Sequence, residues 1–203
     1  MKGRIINIRR ISLKNNIFFL IKMSHAKSWN QLIKKNLNYA LGDNDIMAIC
    51  DGKVKIISYE DLHDYQTIDQ LMEPYGAVII LYQATKEIGH WVAVLKKHRT
   101  IEVFGSYGLK IDEQLQFSTY NMQLHGGKAE PHLTNLINES GYKKIYNHIQ
   151  LQSYNNNIAT CGRYASLRVR FRDMPIDAFV KLFTGASGLS NDEWCTALTL
   201  LFS

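Results

Sequence analysis

"GAVIILYQ", residues 76–83, is a nearly continuous run of apolar and β-branched residues. Such a run is typical of a strand that is buried on both faces. Two further strand patterns follow, "HWVAVLKK" at 90–97 and "TIEVF" at 100–104, and the short polar stretch between them predicts a hairpin. A fourth pattern, "KKIYNHIQLQ" at 143–152, alternates as a strand does. The sequence therefore predicts a sheet built around residues 76–83.

Helical spacing of apolar residues marks the segments on either side of these strands. The helical patterns lie at 28–41, 58–65, 68–72, 130–140, 161–171 and 190–202. This order predicts an α+β fold, with a mainly antiparallel sheet packed on helices. The glycine motifs of Rossmann and P-loop nucleotide-binding units do not occur in the sequence, so neither fold is predicted.

Length and charge predict one domain with a basic arm. The chain has 203 residues and a formal net charge of +6. Residues 1–22 carry six basic residues and no acid, so the body, residues 23–203, sums to zero. An all-positive arm can bind DNA through its phosphates. The alternative is a solvated or untranslated leader, with Met23 as the start. The apolar run in the arm is shorter than the core of a signal peptide, which predicts a soluble, intracellular protein.

The cysteines favour a reducing compartment. Cys50, Cys161 and Cys195 are odd in number and have no paired spacing, which argues against a secreted disulfide scaffold. No C-x-x-C pair occurs and the histidines do not cluster with the cysteines, so the sequence predicts neither a metal nor a cofactor. Cys50 and Cys195 lie among apolar residues, and we interpret both as core residues.

Cys161, in "NNNIATCGRYASLRVRF" (155–171), lies where a polar loop meets a predicted helix. A helix N-terminus stabilises a thiolate, and Gly162 would leave room for a substrate backbone. The alternative is a half-buried structural cysteine. His90, at the start of a predicted strand beside Trp91, is the candidate base. Five other histidines are predicted to be solvated: His63, His98, His125, His132 and His148.

Gln152 is the third candidate. It ends a predicted strand upstream of Cys161, so its side-chain amide and the Cys161 backbone N–H could both donate to a developing oxyanion. The basic residues that follow the cysteine are interpreted mostly as a solvated helix face: Arg163, Arg168, Arg170 and Arg172.

Four elements in order carry a family resemblance: "GHW" (89–91), "EVFGSYG" (102–108), Gln152 and "TCGRYA" (160–165). Together they resemble the adenain-like cysteine proteases of viruses, which are relatives of the SUMO-deconjugating proteases. The resemblance is greatest to the maturation proteases of virophages, and it spans roughly residues 71–171.

The resemblance implies a role for each matching residue. His90 would be the general base and then the general acid, and Cys161 would be the nucleophile. Gln152 would be the oxyanion glutamine, with Gln150 as the alternative. The family keeps this glutamine closer to the cysteine than it is here, so the "SYNNN" loop (153–157) would have to bulge.

One position departs from the family pattern. Gly105 stands where the family has an acid that orients the histidine. Glu102 is a candidate replacement if a bulge brings it round, and otherwise a backbone carbonyl or a water must hold His90. The sequence therefore predicts a Cys–His dyad.

The resemblance implies a thiol endopeptidase that cleaves viral capsid precursor proteins after small residues, glycine above all, within the virion and the infected cell. No membrane partner is expected. The basic arm could bind the packaged DNA. Three alternatives stay open: a deconjugating protease for ubiquitin-like modifiers, a catalytically impaired binding module, which Gly105 favours, and a DNA-binding accessory protein.

Overall fold

The computed structural model describes residues 27–85, 89–117, 130–184 and 188–202. The basic arm, residues 1–22, and His125 lie outside the described residues. The strands are β1 Lys55–Ser58, β2 Ala77–Gln83, β3 Gly89–Lys97, β4 Thr100–Gly105 and β5 Lys143–Tyr146. The helices are α1 Lys27–Asn36, α2 Asp43–Ile49, α3 Ile68–Met72, α4 His132–Glu139, α5 Cys161–Arg170, α6 Ile176–Lys181 and α7 Asn191–Thr199. Short 3₁₀ turns cover Glu60–Asp64 and Glu113–Phe117. None of the helices in these ranges is long and apolar enough to cross a bilayer.

The five strands form one sheet in the order β1-β2-β3-β4-β5. The long central strands β2, β3 and β4 are antiparallel, and the short outer strands β1 and β5 are parallel to their neighbours. The predicted α+β class with a mainly antiparallel sheet is confirmed. Strand β1 was not predicted, because its sequence, "KIIS", is only four residues long and does not alternate between apolar and polar residues.

Strand β2 is buried on both faces, as the sequence predicts. Ala77 and Ile79 pack into one core cluster with α5, while Val78 and Ile80 pack into a second cluster on the other face. The sheet is therefore the middle layer of the fold, and β2 is covered on both sides.

Helix α5 is buried around its whole circumference. Every residue from Gly162 to Val169 is buried, between β3 and β4 on one side and α2 and α7 on the other. The predicted inward positions Tyr164 and Leu167 are confirmed, and both are fully buried. Because both sides of the helix are covered, its polar residues must find partners inside the protein.

The solvated basic face predicted for α5 is wrong at two positions. Arg163 is buried and donates to the Thr199 hydroxyl at 2.8 Å and to the Asn36 carbonyl. Arg168 is buried and makes two hydrogen bonds to the Glu102 carboxylate, at 2.5 and 2.9 Å. Arg163 contacts α1 and α7 and Arg168 contacts β4, and the local pattern of charges could not show these distant partners.

Three predicted helix-capping residues are confirmed, whereas the predicted ends of one strand and one helix are wrong. The Thr67 side chain caps α3, Ser190 caps α7 and Gly141, with φ at 67°, follows α4. The strand predicted over 143–152 ends at Tyr146, and the chain beyond it turns toward β4. The first predicted helix ends at Asn36, short of residue 41.

The buried ion pair supports a prediction about stability. Replacing Glu102 with alanine leaves the Arg168 guanidinium buried and without its carboxylate, so we expect the free energy of unfolding to fall by about 3–5 kcal/mol in urea titrations. The matched control is Asp69→Ala, which breaks the exposed pair with Lys96 and should cost less than about 1 kcal/mol. Equal losses in the two variants would contradict a structural role for the buried pair.

Candidate active site

Cys161 is the first residue of α5 and packs against β3. Burial raises the pKa of the Cys161 thiol, and the backbone N–H groups of Trp91, Gly162 and Cys161 itself lower it by less. The helix N-terminus therefore acts on this pKa in the predicted direction, but its effect is smaller than that of burial. Loss of water around the sulfur outweighs the helix end, so the resting thiol is protonated at neutral pH.

His90, near the start of β3, lines the same groove as this thiol. Both side chains line one groove, and the Trp91 N–H that points at the sulfur belongs to the residue after His90. Burial lowers the pKa of His90 to about 4. Its imidazole is therefore neutral at physiological pH and can accept a proton. The structure thus places both predicted catalytic residues at one groove, with the thiol and the imidazole each uncharged at neutral pH.

Gly162 has a different role from the one that we predicted. A Cβ atom at this position would lie 3.0 Å from Cδ1 of Trp91 and 3.2 Å from Cβ of Leu41. The Trp91 indole N–H also donates to the Leu41 carbonyl at 3.2 Å. The missing side chain therefore lets the indole pack on the helix, and it does not open space for a substrate backbone.

Gln152 reaches the same groove with its side chain fixed. The Ser106 hydroxyl donates to Oε1 of Gln152 at 2.7 Å, and the Gln152 backbone N–H donates to the Ser106 carbonyl. Because Oε1 is held as an acceptor, the amide NH₂ is the end that can donate to an oxyanion. Gln150, the alternative, is exposed and its side chain donates to the Gln152 carbonyl. Of the two glutamines, only Gln152 lines the groove.

The loop between Gln152 and Cys161 is closed by Asp192, which the sequence analysis missed. One carboxylate of this fully buried residue accepts from the Ser153 N–H at 3.0 Å and from the Thr160 hydroxyl at 2.5 Å. These two donors stand at the two ends of the loop. The clamp explains how a long spacer still places the glutamine and the cysteine at one groove. In the sequence, Asp192 reads only as an acid in the first turn of a helix.

A stack of three rings covers His90. Its imidazole stacks on Tyr107 with centroids 4.5 Å apart, and Tyr107 stacks on Tyr154 at the same distance. Tyr154 is 61% exposed, so the stack runs from the buried imidazole to the surface. It keeps water from one face of the ring, in keeping with the lowered pKa of His90. Both tyrosines lie within motifs that the sequence singled out, but their stacking could not be inferred.

Glu102 does not orient His90. Its carboxylate is bound to Arg168, and three residues along a strand separate it from Gly105, so the two positions face opposite sides of the sheet. Gly105 itself faces the site. A Cβ atom there would lie 3.8 Å from Nε2 of His90 and 2.7 Å from Nε2 of Gln114.

The groove has a volume of about 650 Å³. Residues 40–43 line it together with Asn156, Ile158 and Ala159, and the Ala159 N–H donates to the Leu37 carbonyl at 2.8 Å. Most of the lining is apolar, with the polar groups of His90, Gln114 and Gln152 on it. Such a groove can hold an extended peptide with its carbonyl beside a nucleophile.

No model of a known protein family matches the chain. Over 174 residues, the chain is 33% identical to "Uncharacterized protein V9" of the Sputnik virophage, and the match covers 82% of this chain and 99% of V9. The chain belongs to the V9 family. Among solved structures, the chain is similar to the central domain of the uncharacterized Lpg1148 protein from Legionella pneumophila. The TM-score is 0.36 at 14% identity, and the match covers 66% of this chain and 74% of the Lpg1148 domain.

The buried imidazole supports a prediction about pH. His90 has a folded-state pKa of about 4 against an ordinary value of 6.5, so between these values the unfolded chain binds more protons. The contribution of His90 to the free energy of unfolding should therefore be fully present above pH 6.5, and it should fall by up to about 3 kcal/mol as the pH drops to 4. Urea titrations over this range check it. His90→Gln should flatten the dependence, and an unchanged slope in that variant would show that other groups cause it.

The clamp supports a second prediction. Asp192→Ala removes the acceptor of two hydrogen bonds, and we expect a loss of about 3 kcal/mol in the free energy of unfolding. Asp177→Ala is the matched control, because Asp177 also lies in the first turn of a helix but is exposed. It should change stability by less than about 0.5 kcal/mol. Similar values for both variants would contradict the clamp.

Proposed function

We propose that this V9-family protein is a cysteine endopeptidase that cleaves viral capsid precursor proteins during particle maturation. One observation supports the proposal above the others. Cys161 from a helix N-terminus, His90 from a strand and the amide of Gln152 from a loop line the same groove. A thiol nucleophile, a neutral base and an oxyanion donor are the parts that acyl transfer from a peptide requires.

The reaction begins from the neutral pair. With a peptide carbonyl in the groove, His90 takes the thiol proton as the Cys161 sulfur bonds to the carbonyl carbon. The resulting oxyanion accepts hydrogen bonds from the Cys161 N–H and the Gln152 amide. The imidazolium then gives its proton to the leaving amine as the peptide bond breaks. Water, deprotonated by His90, hydrolyses the thioester and restores the thiol.

The substrate would be an extended segment with a small residue before the cleaved bond. The groove that Cys161 lines is mostly apolar, which favours a peptide with a small, uncharged residue at this point. In the proposal, cleavage follows glycine, and the basic arm at 1–22 holds the enzyme on the packaged DNA. The protease would then act in the virion and the infected cell.

A peptide probe tests this function. A capsid-derived peptide that ends in glycine and carries a thiol-reactive group should label the protein at Cys161, as read by mass spectrometry. Cys50 and Cys195 should stay unlabelled, because both are buried and burial raises the pKa of each thiol. His90→Ala should slow the labelling about 10²-fold. His148→Ala is the matched control, since His148 is exposed and its loss should leave the rate unchanged.

Other outcomes would identify other functions. Labelling of Cys161 that ignores His90→Ala would contradict a catalytic pair. Preferred cleavage of a ubiquitin-like modifier fusion over the capsid peptide would indicate a deconjugating protease. A Cys161 that never reacts with either substrate would indicate a binding module.

A further inference from the structure

Two buried polar atoms at the site have no hydrogen-bond partner within the described ranges. They are Nε2 of His90 and Oε1 of Gln114. Both side chains reach within 4 Å of one point, the place where residue 105 would carry a Cβ atom. Leaving one such group unsatisfied in a protein interior costs about 1–3 kcal/mol. Two groups of opposite hydrogen-bonding capacity that border one small space can satisfy each other.

Gly105 provides the space that the Gln114 side chain occupies. Any larger residue would place its Cβ atom 2.7 Å from the Gln114 amide nitrogen. The missing side chain at 105 therefore does not leave His90 facing an empty volume. It leaves His90 facing the amide of a glutamine that is only 4% exposed.

The turn that carries Gln114 is anchored next to that residue. Asp112, which has a φ of 62°, is buried, and its carboxylate accepts from the Tyr82 hydroxyl and from the Thr134 N–H, both at 2.8 Å. Glu113 accepts from the Lys110 N–H at 2.8 Å. One bond ties the turn to β2, one ties it to α4, and one closes the turn on itself. Gln114 thus projects inward from a fixed backbone.

Other candidates for holding His90 are engaged elsewhere. Glu102 is bound to Arg168, and Asp112 is bound to Tyr82. Tyr107 stacks on the face of the imidazole, so it does not lie in the ring plane where the nitrogens point. Gln114 is the residue whose unpartnered oxygen can reach the imidazole edge.

We propose that Gln114 orients His90 by accepting a hydrogen bond from its Nε2–H. A half-turn of the amide about its last bond exchanges Oε1 and Nε2 and presents the oxygen to the imidazole. The bond fixes the ring proton on Nε2 and leaves Nδ1 as the base. This inference rests on the proposed protease function, and Gln114 is a positioning residue within it.

A neutral partner also has an electrostatic consequence. A carboxylate in this place would favour the imidazolium and raise the pKa of His90. An amide fixes the same tautomer without adding charge, so burial keeps the pKa of His90 low. The pair starts neutral and charges separate only during the reaction.

Kinetics of two variants test the proposal. Gln114→Met keeps the size of the side chain and removes the acceptor, so kcat should fall about 10²-fold with little change in KM. Gln114→Glu keeps an acceptor and adds charge, so turnover should persist and the acid limb of the kcat/KM profile should move to higher pH. Unchanged kcat in the first variant together with an unmoved pH profile in the second would overturn the proposal.

A rescue experiment separates positioning from packing. Gln114→Ala should lower kcat. Adding Gly105→Asp to this variant should raise kcat at least tenfold above that of Gln114→Ala alone. The Cβ atom of an aspartate at 105 would lie 3.8 Å from Nε2 of His90, so its carboxylate can replace the glutamine as acceptor. If Gln114 only fills space, the aspartate at 105, which comes from β4, should not restore kcat.

A spectroscopic measurement keeps the test independent of turnover. In Cys161→Ala protein labelled with ¹⁵N-histidine, NMR should show His90 as the Nε2–H tautomer, and adding Gln114→Met should mix the tautomers. If the wild-type protein cleaves peptide through Cys161 but the His90 tautomer does not change with Gln114→Met, only the positioning role is overturned. If the tautomer depends on Gln114 but the wild-type protein cleaves no peptide, the protease proposal is refuted and the positioning bond stands.

Discussion

The close packing of the α5 N-terminus on β3 is the contact on which the rest of the site depends. Gly162 has no Cβ atom, so the Trp91 indole lies against the helix and reaches the Leu41 carbonyl. That contact sets Cys161 beside the strand that carries His90. The helix cannot shift away, because the sheet covers one side of it and other helices cover the opposite side. The nucleophile is therefore positioned by the core of the protein and not by a mobile loop.

The same burial determines the electrostatics of the site. Removing water raises the pKa of the Cys161 thiol and lowers the pKa of His90, so both residues rest uncharged. Two of the polar side chains near the groove, those of Gln152 and Asp192, are held by uncharged partners. Ser106 fixes Gln152, and Asp192 closes the loop between Ser153 and Thr160. A site of this kind keeps its charge separation for the reaction itself, when oriented donors stabilise it without reorganising.

Local pattern was enough to predict much of the fold. The apolar run of β2 predicted a strand covered on both faces, and the caps Thr67 and Ser190 marked helix starts, because each signal depends on neighbours within four residues. The order of the motifs was enough to bring His90, Gln152 and Cys161 forward as a set. Where a residue's partner is far along the chain, prediction failed. Arg168 was predicted to be solvated and Glu102 was a candidate to orient His90, although each is the buried partner of the other.

The sequence by itself determined the class of fold, the buried strand and the helix that begins at Cys161, and it named three residues that line one groove. It did so because periodicity, capping and motif order are properties of neighbouring residues. Only the tertiary structure decided that Gly162 serves packing, that Asp192 clamps the loop and that Gln114 occupies the space beside Gly105. Those roles depend on side chains brought together from distant parts of the chain. Burial raises the pKa of Cys161 by more than the helix end lowers it, and burial exists only once the chain has folded.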